Sequence, residues 1–429
     1  MKVAHVSTFP SMKCGIAFYV SDLIGSLPMV EHRKYALHYG TNVTEDAAGH
    51  ANASDFVDIR ELAHAISQSD CDVVSLQHEF GIWGGPNGEH VLDFLGELAK
   101  PLVSTLHTTF RYADRPAVQS SILRTIIDRS VVSFVLSQQS KETMYDTLGL
   151  TGGSVDIVPH GIPDIPFAPS PLANNHAGGL NRTVKLCSVG FFRPDKGLEE
   201  TLKALSRLRE RGTEFLYVIA GSPQPQFAEQ RNYLGHLNDM ISELALDRYV
   251  KLDVRFLTRE EQVQIIQDNH VGVFAYQTPY QSSSGAIPLV IAAGRPVICT
   301  PFEYALAKNL EIGDGVFLTK NFGSDAIADA ILDFSCNKSS HGSLELSLHQ
   351  RAKDWLWRSV GTAYSAAFNK ARETNSRRRS RTSTSPAPVA STRRRPPSPK
   401  PRSEPTSCPS RRTESGSSWS RTPSSPSAE

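Results

Sequence analysis

The chain has 429 residues, enough for two or three domains, and 39% of them are apolar, enough for substantial cores. Its formal net charge of +1 conceals a division: residues 374–429 hold 12 of the 45 basic residues but 3 of the 44 acidic ones, which leaves residues 1–373 at −8. A nucleic-acid binder carries its basic charge on the folded part, so DNA and RNA are excluded as first partners of the body.

The elements come in a regular order. Short β-branched runs predict strands over 3–7, 73–77, 102–107 and 131–136, and amphipathic patterns predict helices over 16–27, 89–99, 118–128 and 141–148. Pro159, Pro163, Pro166, Pro169 and Pro171, followed by Asn174, Asn175, Gly178 and Gly179, break that rhythm and read as an interdomain linker. The alternation then restarts, with strands over 184–189, 215–220, 250–254, 271–276, 296–300 and 316–318 and helices over 198–211, 259–267 and 286–293. Strands that are apolar on both faces and alternate with helices predict two parallel sheets covered on both sides.

A last helix is expected near 346–372, where Trp357, Val360, Tyr364 and Phe368 share one face at helical spacing and read as packing. Beyond about Arg372 the composition collapses into Ser, Arg, Pro and Thr, too poor in apolar residues to offset chain entropy, so disorder is expected. The abrupt onset fits a flexible tail or a reading-frame error replacing a downstream domain. Cys14, Cys71, Cys187, Cys299, Cys336 and Cys408 show no metal-ligand or redox spacing and predict reduced, buried thiols. A strand pattern at the start rather than a leader, and no apolar run near the ~20 residues of a membrane span, predict a cytoplasmic body.

The strongest chemical signal opens the second half. Gly190-Phe191-Phe192-Arg193-Pro194-Asp195-Lys196-Gly197 ends a strand and starts a helix. Two cations beside the unpaired amides of a helix start suit a diphosphate, although the same residues also decorate ordinary surface turns. A second loop, Gln281-Ser282-Ser283-Ser284-Gly285, leads into an apolar helix and offers hydroxyls and amides, or simply a serine cap. In the first half, Thr8–Gly15 lacks G-x-G-x-x-G, which argues against a nicotinamide or flavin fingerprint there. His78-Glu79 could suggest metal, but adjacent side chains diverge and no third ligand is evident. His107 ends a strand, on the side where open α/β sheets bind ligands, a place where structural histidines also occur.

Taken together, these segments resemble the family-four glycosyltransferases, in particular their mannosyltransferase-like branch. The Gly190–Gly197 loop is similar to the family's strand-G-R-x-x-x-x-K-G segment in the branch form G-F-x-R-P-x-K-G-L. Gln281–Gly285 with Gly294-Arg295-Pro296-Val297-Ile298 is similar to its nucleotide loop, and Gln77–Gly85 to the branch's H-E-x-G-I-x-G-G run. Leu106-His107-Thr108 resembles the active-site histidine segment, and Pro159-His160-Gly161-Ile162 the hinge. The resemblance departs where the common form carries two glutamates: those positions hold Gln281 and Leu289.

The resemblance implies an α/β protein of GT-B architecture, two Rossmann-like parallel-sheet domains facing across a cleft. The expected divisions are an acceptor-side domain over 1–165, a linker over 166–182, a nucleotide-sugar domain over 183–345, a closing helix over 346–372 and a disordered Ser/Arg/Pro-rich tail over 373–429. It implies a retaining transfer of a hexose, mannose from GDP-mannose first, to a hydroxyl of a glycan or lipid-linked acceptor in polysaccharide or glycoconjugate synthesis, without metal or other cofactor and with peripheral contact to the inner membrane face open. His107, Arg193 and Lys196 take the catalytic roles. Gly15, Gln281, Ser283, Ser284 and Gly285 bind donor, and His78, Glu79 and His160 are candidate sugar or acceptor contacts. The missing glutamates keep open a catalytically impaired nucleotide-sugar-binding module, and the fold also hosts sugar-nucleotide epimerases.

Overall fold

The protein is described by a computed structural model over residues 1–40, 44–109, 116–153, 155–170, 183–223, 232–336 and 341–383. The first half folds as β1 (Lys2–Ser7), α1 (Gly15–Gly25), β2 (Glu31–His38), β3 (Gly49–Asn52), α2 (Phe56–Gln68), β4 (Val73–His78), α3 (His90–Glu97), β5 (Leu102–Leu106), α4 (Ala117–Arg129), β6 (Ser130–Val135), α5 (Gln138–Leu148) and β7 (Val155–Ile157). The second contains β8 (Val184–Phe191), α6 (Leu198–Glu210), β9 (Phe215–Ser222), α7 (Tyr233–Glu243), β10 (Val250–Val254), α8 (Arg259–Gln267) and β11 (Val271–Phe274). It continues through α9 (Ala286–Ala292), β12 (Val297–Cys299), α10 (Glu303–Ile312), β13 (Val316–Leu318), α11 (Ser324–Cys336), α12 (His341–Arg351) and α13 (Trp357–Ser383).

Two sheets result, in the orders β3-β2-β1-β4-β5-β6-β7 and β10-β9-β8-β11-β12-β13. Every paired strand runs parallel. Central strands such as β4 and β5 are buried along their whole length, which requires helices on both faces. The strand order reverses direction between β1 and β4 in one sheet and between β8 and β11 in the other, and such switch points are where open α/β sheets leave a crevice.

β2 and β3 escape the apolar pattern for physical reasons. β2 begins with Glu31, His32, Arg33 and Lys34, half of which face solvent, and β3 is Gly-His-Ala-Asn, which only register with β2 holds extended. The single helix expected over 346–372 is two: α12 packs under α9 in the second half, and a turn at Ala352–Trp355 leads into α13. α13 crosses back to the first half, where Val360, Tyr364 and Phe368 join Val3, Tyr19 and Val103 in one core. Its backbone runs to Ser383, past the expected end near Arg372. The expected disordered tail lies, from 384 onward, outside the described residues, as do 171–182 of the expected linker and Cys408. Four of the described cysteines are buried as expected, but Cys336 is exposed. Among the described residues no helix is long and apolar enough to cross a membrane.

Candidate active site

The carboxyl ends of β1, β4, β5, β8 and β11 converge on a cleft of about 710 Å³ between the two sheets. Ten of the eleven candidate residues line it: Gly15, Glu79 and His107 from the first half, His160 from the hinge, and Arg193, Lys196, Gln281, Ser283, Ser284 and Gly285 from the second. His78 is the exception and a correction. At the end of β4 the alternation of side chains turns it away from the cleft, fully buried and edge-on to Phe80 with ring centroids 4.8 Å apart.

The cationic loop is built by glycines. At Gly197 the backbone takes φ +65°, and any side chain there would run into the Ala275 carbonyl oxygen, so only glycine lets β8 turn tightly into α6. Pro194–Lys196 forms one 3₁₀ turn, and α6 then starts at Leu198 without a side-chain cap on its first amides. Arg193 Nε donates to Asp195 Oδ1 at 2.6 Å. Lys196 Nζ lies 3.5 Å from the other Asp195 oxygen and 3.8 Å above the Tyr276 ring. Burial pulls the Lys196 ammonium down to about 8, although the Asp195 charge opposes the shift. Neither Asp195 nor Tyr276 belongs to the sequence candidates, yet together they hold the lysine.

The serine loop, which lines the cleft, also joins the two halves. Ser283 Oγ donates to the His107 carbonyl oxygen at 2.8 Å, and the Thr109 amide donates to Ser282 Oγ at 2.9 Å, so this loop ties the two halves across the cleft. Gln281 Nε2 donates to the Ser283 carbonyl at 2.9 Å. Ser284 Oγ accepts from the Ile287 amide at 3.4 Å, which restrains the start of α9. Leu289 is 1% exposed and belongs to the apolar core behind the loop.

On the facing wall, Cys14 Sγ accepts from the Ala17 amide at 3.4 Å and caps α1. A Cβ on Gly15 would meet nothing within 4 Å, so the chain's own packing gives no reason for glycine at this point of the cleft. The Glu79 carboxylate accepts from the Gly81 amide at 2.7 Å; burial raises its pKa, and that amide and the Arg193 charge opposite moderate the rise. His107 Nε2 hydrogen-bonds Gln77 Oε1 at 2.8 Å. Burial lowers the His107 imidazole to about 3 and that of His160 to about 4, so both are neutral at pH 7. Between these rings stands Tyr19, edge-on to His107 at 4.7 Å, to His160 at 5.1 Å and to Trp357 at 5.0 Å. Farther out, Asp22 and Arg259 pair across the cleft at 3.2 Å and Phe18 stacks on Phe256 at 5.4 Å.

Residues 178–355 match the model of the family described as glycosyl transferases group 1. That stretch carries the cationic loop, the serine loop and α9. This stretch is similar to a group 1 glycosyltransferase domain. The whole two-sheet body has the GT-B fold of solved glycosyltransferases. Anabaena HepE, solved with UDP and glucose, superposes with a TM-score of 0.68 at 13% identity, over 86% of this chain and 99% of that one. Sucrose-phosphate synthase from Thermosynechococcus elongatus superposes with a TM-score of 0.66 at 14% identity, over 90% of this chain and 100% of its own. An Escherichia coli structure described as trehalose-6-phosphate bound with UDP-2-fluoro glucose gives 0.64 at 12%, over 86% and 99%. No curated protein matches the sequence.

The cleft residues that local sequence patterns do not reveal are the ones that depend on tertiary approach. Tyr19, Ser282 and Tyr276 lie in stretches whose local pattern says only "helix", "loop" and "strand end". Glu79 neighbours His78 in the sequence, but of the two only Glu79 lines the cleft. Among the described residues, no group of three or more His, Cys, Asp or Glu side chains is placed to hold a metal ion.

Proposed function

We propose that the cleft transfers a hexose, with retention, from a nucleoside diphosphate sugar to a hydroxyl acceptor. One observation carries this reading: Arg193 and Lys196 stand at an uncapped helix start, facing across the cleft an α1 start whose Gly15 leaves open space. Negative charge on a diphosphate grows as the sugar–phosphate bond breaks, so cations fixed there act more strongly on the transition state than on the bound donor. Lys196 is preorganised by Asp195 and Tyr276, and Arg193 by Asp195.

Neutral His107 offers a ring nitrogen to a hydroxyl of the transferred sugar. In this reading Glu79 accepts from the acceptor hydroxyl and His160 approaches the sugar from the hinge; both line the cleft. Ser282 and Ser283 close the wall between the halves, which keeps water from the reacting carbon. GDP-mannose is the first donor to test, on the motif resemblance alone, and the UDP and UDP-sugar complexes of the similar structures make uridine donors the comparison arm. The acceptor reading is a glycan or lipid-linked hydroxyl.

A thermal-shift panel of nucleoside diphosphates and their sugars, followed by transfer assays on the full chain, tests the reading. Stabilisation by one nucleoside diphosphate family, with turnover lost in Lys196→Ala, is the expected outcome. The burial of Leu289, which leaves that position without a ribose-binding carboxylate, favours a second reading, a nucleotide-sugar-binding module without turnover. Donor binding with no transfer and no donor hydrolysis would select it.

A further inference from the structure

Gln77 is a polar residue in a strand that is otherwise mostly apolar, and it is fully buried. Burying a carboxamide costs several kcal/mol unless its hydrogen bonds are replaced, so packing alone would be better met by an aliphatic side chain. Its Oε1 lies 2.8 Å from His107 Nε2. The amide end of Gln77 neighbours the hydroxyl of Tyr364 but makes no hydrogen bond among the described residues. Tyr364, also fully buried, comes from α13, and its hydroxyl lies 2.5 Å from Thr105 Oγ1 and 3.1 Å from the Tyr19 hydroxyl. Thus a side chain of the last helix is fixed by two hydroxyls of the first half and stands behind the glutamine that touches the cleft histidine.

A carboxamide oxygen only accepts, so in this arrangement His107 Nε2 carries the proton and Nδ1 keeps its lone pair. We propose that Gln77 and Tyr364 are positioning residues that hold His107 in the single Nε2–H tautomer, with Nδ1 left to accept a hydrogen bond from a hydroxyl of the transferred sugar. Tyr364 acts by placing its hydroxyl, held by Thr105 and Tyr19, beside the amide end of Gln77, where it offers the N–H groups an acceptor on the side away from His107. The return of α13 onto the first half thereby has a chemical consequence in the cleft. The inference rests on the reading of His107 as a sugar contact.

The test uses the full chain labelled with ¹⁵N-histidine, with the His107 signals assigned by their loss in His107→Gln. Long-range proton–nitrogen correlation spectra report the tautomer directly. The wild-type chain is expected to show one Nε2–H tautomer for His107. Gln77→Met and Tyr364→Phe are expected to give mixed tautomers, and to lower kcat roughly tenfold, the effect of one lost hydrogen bond, while donor KM stays within twofold. If Gln77→Met does not fold, Tyr364→Phe, which removes a single oxygen atom, carries the same readout. An Nδ1–H or mixed wild-type signal, or an unchanged Nε2–H signal in the folded variants, would overturn the proposal. Turnover that survives in His107→Gln would instead refute the sugar-contact reading, and the spectra would still decide whether Gln77 and Tyr364 fix the ring.

Discussion

Lys196 gives the account its sharpest handle, because its burial ties diphosphate binding to pH. The ammonium is held at about 8 by desolvation over Tyr276, below its ordinary 10.5, so the free protein begins to lose this charge in mildly alkaline solution. A bound diphosphate beside it restores the charged form and raises its pKa toward the ordinary value. Only the protonated lysine attracts the anion, so affinity is nearly level below pH 8 and falls as pH rises through it. The protonated fraction of the free protein drops from roughly three quarters at pH 7.5 to about 3% at pH 9.5, which predicts a roughly 25-fold weaker nucleoside diphosphate affinity, about 2 kcal/mol. Titration calorimetry in two buffers of different ionisation enthalpy adds a second check. At pH 8.5 the complex should take up about 0.75 proton, the share of lysine that was neutral before binding. In Lys196→Arg the guanidinium keeps its charge throughout, so both the slope and the proton uptake should vanish. A level affinity to pH 9.5, or proton release on binding, would refute the reasoning.

Other outcomes follow from single contacts. Gly15→Ala should leave the melting temperature unchanged or slightly higher, since a Cβ there meets nothing within 4 Å, yet weaken diphosphate binding at least tenfold in the same thermal-shift assay. Gly197→Ala should lower the melting temperature by several degrees, because it imposes left-handed strain and a collision with the Ala275 carbonyl, as read by calorimetry. Ser283→Ala removes the bond to the His107 carbonyl and should raise donor KM about fivefold, with a larger radius of gyration in solution scattering of the free protein. The neutral burial of His107 and His160 gives an acid limit. Their folded pKa values of about 3 and about 4 lie below the ordinary 6.5, so their contribution is fully present above pH 6.5 and is lost as pH falls toward 4. Urea midpoints measured from pH 7 to 4 should fall, and fall less in His107→Gln.

Much of this architecture was legible in the sequence because parallel strands buried on both faces carry apolar residues toward both, as β4, β5 and β8 do. Strands whose place depends on a neighbour were not: β2 is charged over its first four residues, and β3 has almost no strand character of its own. The cationic loop was legible because Gly190, Arg193, Lys196 and Gly197 lie within one turn, where spacing alone brings them together. The serine loop was legible as a cleft loop, but that Ser283 also reaches the opposite half of the protein depends on tertiary approach. Nothing local in α13 says that Tyr364 sits behind His107, since that approach joins two ends of the chain. The His78–Glu79 pair misled for the converse reason: neighbours in sequence diverge at a strand end, and only Glu79 reaches the cleft.

The central claim concerns where a pyrophosphate sits, and a crystal structure of the full chain with a bound nucleoside diphosphate tests it most directly. Phosphate oxygens should lie within hydrogen-bond distance of Arg193 and Lys196, with the backbone at Gly15 closing the other side. A diphosphate bound elsewhere, with the two cations still paired to Asp195 and turned from it, would contradict it.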